Sequence, residues 1–158
     1  MFCIGLVLCL LEQPLLSNTH SSKIKSAQYF PIEAQWCLPN RECIFLEIAD
    51  TDLEKKVGLM HRKFLANSSG MLFKFFPSRI VRFWMYDTII SLDMIFLNKG
   101  TIVALETNAQ PCSLAPCPTF GPDVLVDSVI EIAAGEVERL NIKVGDHVEI
   151  DQVFNPLE

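Results

Sequence analysis

The chain has 158 residues, a formal net charge of −6 and a hydrophobic fraction of 50%. That length gives one domain a real core and is short for two. An acidic chain without a Lys/Arg run argues against a nucleic-acid partner and against an anionic membrane surface.

The run 2–11 is apolar and broken only by Gly5. A membrane-spanning helix needs about 20 residues, so this run is too short. It fits the apolar part of a secretory signal, although the usual positive residues ahead of it are missing. Cys9 stands where a lipoprotein cysteine would, but Leu8 before it is too large for that processing site. Residues 17–27 are polar and read as a linker. The expected organisation is a signal-like segment and linker over 1–27, then a single β-rich domain over 28–158. Export to the periplasm or cell envelope follows, with membrane contact only through the N-terminal segment if it stays uncleaved.

Residues 29–40, with Pro31 and Pro39, read as irregular, and 43–49 (CIFLEIA) as a strand. Thr51 and Glu54 then make a capping box, whose hydroxyl and carboxylate satisfy the first free amides of a helix. The predicted helix is short, near 51–59, with Leu53 and Val57 one turn apart and Gly58 close to its end. Met60, His61 and Arg62 follow, and 66–69 is a turn. Arg62 is a candidate anion ligand or the partner of a buried carboxylate such as Asp93. His61 beside it is a candidate base, or simply exposed.

Three strand-like runs come next, at 71–76, 81–86 and 92–97, each rich in aromatic or aliphatic residues. Alternation puts Val81, Phe83 and Met85 on one face and Arg82, Trp84 and Tyr86 on the other. Asp93 shares a face with Ile95 and Leu97, so it needs a hydrogen-bonding or cationic partner if buried; Arg62, Arg79 and Arg82 are candidates. Two readings stand for this stretch. Trp84, Tyr86, Asp87 and Asp93 line a pocket, or the aromatics fill a core while the aspartates cap turns and pair with arginines.

Residues 98–100 (NKG) signal a hairpin, and 101–106 returns as a strand. The stretch 108–123 is a long loop with four prolines. A strand over 124–132 carries Asp127 and Glu131, a helical turn follows near 135–140, and 147–150 is a last strand. Cys37, Cys43, Cys112 and Cys117 form two locally spaced pairs, which read as disulfides in an exported protein. Zinc-like spacing is missing, with no CxxC and with His20, His61 and His147 scattered, so neither a metal nor a cofactor is expected.

The pattern is mainly β, a sandwich or jelly-roll-like fold with two short helical pieces and no βαβ rhythm. An ordered series then resembles a known family. It runs through Thr51, Glu54, Gly58, Leu59, Met60 and Arg62, then Gly70–Phe73, Phe83–Met85, Asp87, Thr88 and Leu92–Phe96. It ends through Cys112, Cys117 and Pro118, the strand 129–132 with Ala134 and Gly135, and the run 140–146 with Val148. This series resembles the domain of unknown function 192 family. The resemblance implies a small β-rich domain, often exported or membrane-anchored, with no established activity. The family commonly has Asn at the place of Asp87, so an amide-specific contact there is in doubt. The Gly145–Asp146 pair is similar to a feature of cradle-like barrels, which leaves a small β-barrel as the alternative fold.

Three functions compete. The first is a non-catalytic envelope module binding a small polar or carbohydrate ligand through Arg62, Trp84, Tyr86, Asp87 and Asp93. The second is an accessory domain docking an envelope protein through the stapled Pro-rich loop. The third is a hydrolase with Asp87 and Asp93 as acid and base and Arg62 placing an anion. The residues favour binding over catalysis.

Overall fold

A computed structural model describes residues 26–153. The signal-like run with Cys9, His20, most of the linker, and Pro156 lie outside these residues. The first elements are β1 (Ile32–Cys37), β2 (Cys43–Ala49), helix α1 (Asp52–Val57) and β3 (Ser69–Arg79). Then come β4 (Phe83–Trp84), β5 (Leu92–Asn98), β6 (Thr101–Ala109), β7 (Thr119–Phe120), β8 (Val126–Ala133), helix α2 (Glu136–Arg139) and β9 (Ile150–Gln152). The protein is mainly β with two short helices, as expected.

A seven-stranded sheet has the order β6-β5-β8-β3-β2-β1-β9, and β4 pairs with β7 in a two-stranded ribbon. The sheets are not closed into a barrel, so the barrel alternative does not hold. The antiparallel bridge Thr101–His147, with hydrogen bonds from Ile102 to Asp146, Gly145 to Ile102 and Val148 to Gly100, ties β6 to the run ahead of β9. Alternation along the central strands sends Leu46, Leu72, Ile95, Leu97, Ile130 and Ile132 to one face, where Val137, Leu140 and Ile142 cover them. Met71, Phe73, Met94, Phe96 and Val129 face the other way, under Leu59, Leu65, Val81 and Met85. Each such side chain, fully buried, contributes roughly 1.5–3 kcal/mol.

The capping box forms as expected. The Thr51 hydroxyl accepts from the Glu54 amide, and the Glu54 carboxylate accepts from the Thr51 amide. The Thr51 backbone donor holds the Glu54 carboxyl below the usual carboxylate range. Leu53, however, is exposed, so only Val57 anchors the helix inward. The hairpin at Lys99–Gly100 has positive φ at both positions, 52° and 71°, which suits a tight two-residue turn.

Four expected elements in the first half of the chain differ from the structure, and later the last strand falls at Ile150–Gln152 rather than 147–150 and the loop 108–123 holds β7. Residues expected to be irregular form β1, whose Ala34 and Trp36 are buried between β2 and β9. Pro31 and Pro39 lie just outside its ends, where a missing amide costs nothing. The run at 71–76 extends to Arg79, through Pro77, because the β8 register breaks between Lys74 and Arg79 and asks no donor of the proline. The run at 81–86 is a strand only at Phe83–Trp84. Finally, β2 and β3 are parallel and joined through α1, a crossover that one short helix disguised.

Candidate functional site

The crossover leaves a cleft of about 370 Å³ between α1 and the far half of β3. Phe73, Phe75, Phe83 and Trp84 give it aromatic walls, and Thr88 and Glu131 reach it from deeper in the fold. Gly58 ends α1 with φ 48°, and a Cβ there would stand 3.3 Å from the Phe73 ring. The positive φ calls for glycine here, and a side chain would in addition press on the Phe73 ring. The same hypothetical Cβ lies 3.9 Å from a Glu131 oxygen, so the end of α1 sits directly against that carboxyl.

Glu131 projects from β8 onto the Met71–Met94 face, flanked by both in register. It is 5% exposed and makes no hydrogen bond to another described residue. Burial pushes its pKa up to about 8, against the opposing pull of Arg62. At neutral pH it is a neutral acid, able to donate one hydrogen bond and accept others.

Arg62 is 2% exposed and pairs with Glu47 of β2, not with Asp93. Its two terminal nitrogens donate to the two Glu47 oxygens, both at 2.6 Å, and its Nε donates to the Gln28 carbonyl at 3.1 Å. The Phe30 amide also donates to Glu47, and the Tyr29 ring stacks 4.4 Å from the Arg62 guanidinium. Residues 28–30 thus strap the ion pair from outside. With its donors directed this way, Arg62 lowers the Glu131 pKa through space without bonding to it.

The other predicted site residues separate. Trp84 is 45% exposed and lines the cleft, with Tyr86 tilted against it at 5.2 Å between ring centres. Tyr86 itself bridges to Cys112. Asp87 sits in a turn at φ 54°, a left-handed conformation that Asn and Asp adopt most readily among residues with side chains. Its amide donates to the Cys112 carbonyl, and its carbonyl accepts from the His61 amide. Asp93 is fully buried on the opposite face of the sheet, where it accepts from the amides of Asn108 and Val137. It fixes the start of α2 and the irregular end of β6, where the register with β5 shifts and Asn108 takes φ 55°. Asp87 and Asp93 therefore share no cleft, and the acid–base pairing built on them has no common site. The residues that sequence reasoning passed over are Glu131 and Glu47. Their one signal was a carboxylate inside an apolar strand run, the same signal that singled out Asp93.

Both cysteine pairs are bonded as expected. Cys37–Cys43 joins residues opposite each other on β1 and β2. Cys112–Cys117 closes the loop next to the cleft. The Cys112 amide donates to the Met85 carbonyl, and β7, two residues past Cys117, pairs with β4. The staple thus braces the Trp84 wall from both ends. Two disulfides argue for an oxidising, non-cytoplasmic compartment. No described helix is long and apolar enough to cross a membrane. Among the described residues, no cluster of three or more His, Cys, Asp or Glu side chains is placed to hold a metal ion.

Fold and cleft together define a small open-sheet β-domain with one aromatic-walled recess under a crossover helix. The family model of DUF192, described as an uncharacterized ACR, matches residues 37–150, and the chain belongs to that family. No curated protein matches the chain. Two crystal structures are similar. One is from Sinorhizobium meliloti 1021, described as a candidate transcription regulator, with 33% identity and a TM-score of 0.65. It is matched over 74% of this chain and 91% of its own. The other is a protein of unknown function from Novosphingobium aromaticivorans DSM 12444, with 29% identity and a TM-score of 0.68. It is matched over 80% of this chain and 94% of its own.

Proposed function

We propose that this chain is a non-catalytic binding module of the periplasm or cell envelope, taking a small ligand in the cleft between α1 and β3. The observation that carries the reading is Glu131, a nearly buried neutral acid aimed into an aromatic-walled recess of about 370 Å³. Small-molecule sites have this make-up, apolar walls with a few placed polar groups, and begin at about 300 Å³. Trp84 belongs to the site, whereas Arg62 supports it from behind. The apolar run at 2–11 and the two disulfides support export, and the single β-rich domain that begins at residue 28 is the binding unit. The regulator description of the Sinorhizobium protein stays with that protein, since a net charge of −6 with no basic run disfavours direct contact with DNA.

The test is a thermal-shift panel on the full chain with glucose, N-acetylglucosamine, benzyl alcohol, benzoate and phenyl phosphate. A ligand at a hundred times its dissociation constant adds about 2.7 kcal/mol, readily seen as a raised midpoint. The expected result is a raised midpoint that is lost in Trp84→Ala, whose exposed position lets the variant fold. A panel that raises no midpoint, or raises both proteins equally, overturns the reading.

A further inference from the structure

The cleft's charge runs against that of the whole protein. Its lining carries four basic residues, Lys55, Lys56, Arg79 and Arg82, against two acidic ones, Asp52 and Glu131. Arg82 is committed elsewhere: it pairs with Asp123 and donates to the carbonyls of Gly121 and Pro122. Lys55, Lys56 and Arg79 form no ion pair with a described carboxylate; the Lys55 ammonium donates to the Asp50 carbonyl at 2.8 Å, which leaves it two further donors. Two of them converge on one ring. Lys55, from α1, lies 5.8 Å from the centre of Phe75, and Arg79, from the end of β3, lies 4.7 Å from it. Two cations gathered around one ring repel each other, and an anion close to both relieves that repulsion. Phe73, Phe83 and Trp84 offer further ring and edge surfaces along the walls, and Glu131, 5% exposed, is among the most buried of the lining residues.

We propose that the cleft selects a ring-bearing small anion, its carboxylate or phosphate ester held by Lys55, Lys56 and Arg79, and its uncharged body directed past Trp84 toward Glu131. This rests on the binding reading above and narrows it to a ligand class. Lys55 and Arg79 come from two elements whose distance the crossover fixes, so the anion position is built into the fold. Glu131 closes the far end to a second negative charge once it ionises, and in its neutral form donates a hydrogen bond to a carbonyl or hydroxyl oxygen there, or accepts one from a hydroxyl. The charged groups around Glu131 are Arg62 with its partner Glu47 behind it, and Asp52, Lys55, Lys56, Arg79 and Arg82 around the cleft.

A charge-matched series on the full chain tests this: benzyl alcohol, benzoate, phenyl phosphate and inorganic phosphate, with affinity and binding position read from amide and indole NMR shifts at pH 6.5. Benzoate or phenyl phosphate is expected to bind at least about tenfold tighter than benzyl alcohol, with shifts at Gly58, Thr88 and the Trp84 indole, one ion contact being enough for that factor. Which of the two binds tighter tells a carboxylate source from a phosphate ester. The double variant Lys56→Ala/Arg79→Ala should lose that preference while keeping benzyl alcohol affinity, which also shows that the cleft is intact. Benzyl alcohol binding as tightly as the anions in the cleft would overturn the anion assignment and leave the binding reading standing. Inorganic phosphate binding as tightly as phenyl phosphate would overturn the ring requirement. No shift at the cleft residues with any compound would overturn both.

Discussion

Both terminal nitrogens of Arg62 hold Glu47, each 2.6 Å from a different carboxylate oxygen, inside a site where neither residue is more than 7% exposed. Removing one partner leaves the other charged and buried. Glu47→Leu or Arg62→Leu should each lower unfolding stability by about 3–5 kcal/mol, as broken buried pairs do. The double variant should recover much of that loss, since no charge is then stranded. Urea denaturation of the three variants measures this. Equal losses in the double and the single variants would mean that the strap at 28–30, rather than the pair, carries the energy.

Glu131 predicts a pH dependence with a definite sign. Its folded pKa lies near 8, above the ordinary 4.5, so the folded state binds the proton more tightly than the unfolded chain. Ionisation therefore works against folding as pH rises. This contribution is favourable below about pH 4.5, shrinks between 4.5 and 8, and is gone above 8. Glu131→Gln, which cannot ionise, should flatten stability between pH 6 and 9 and leave the variant the more stable protein at pH 9. Melting curves across that range check it. A wild-type slope unchanged in the variant would place the titration elsewhere.

Asp93 accepts from two amides, at 2.8 Å from Asn108 and 2.9 Å from Val137. Asp93→Ala should cost about 2 kcal/mol or more, because each buried donor left without an acceptor costs about 1–3 kcal/mol. Asp93→Asn keeps one acceptor oxygen and should lose less. Hydrogen exchange at Val137 and Asn108 reports the two bonds directly. If Asp93 were instead a ligand group, both variants would fold as well as the wild type.

The Cys112–Cys117 staple closes a small loop, so Cys112→Ser/Cys117→Ser should cost only about 2 kcal/mol of stability in the chain-entropy account. Its larger effect should fall on the cleft. With the loop released, the Tyr86–Cys112 bridge and the β4–β7 pairing lose a fixed frame. Ligand affinity should drop at least about fivefold at temperatures where the variant remains folded, a loss of about 1 kcal/mol. Affinity unchanged in the folded double variant would free the Trp84 wall from any dependence on the staple.

Much of the fold was legible because its signals are local. The capping box at Thr51–Glu54, the Lys99–Gly100 turn and the alternation of Leu92–Asn98 each depend on neighbours in the chain. β1 was hidden because its strand character comes from partners far away, on β2 and β9. The site was harder to read for the same reason. A carboxylate in an apolar strand is one signal with several outcomes, and only the fold decides among them. Glu47 meets an arginine, Asp93 meets two amides, and Glu131 meets neither. Trp84 could be placed on a face by alternation, but its exposure depends on β4 being a short ribbon rather than part of the main sheet.

We propose that this protein binds its ligand in the recess between α1 and β3 that Glu131 lines. The most direct measurement is an amide-shift map of the full chain titrated with phenyl phosphate. Shifts should concentrate at Gly58, Met60, Thr88 and the Trp84 indole, with Asn108 and Asn141 on the opposite side of the sheet unmoved. Shifts centred on Asn108 and Asn141, or spread evenly over the surface, would contradict it.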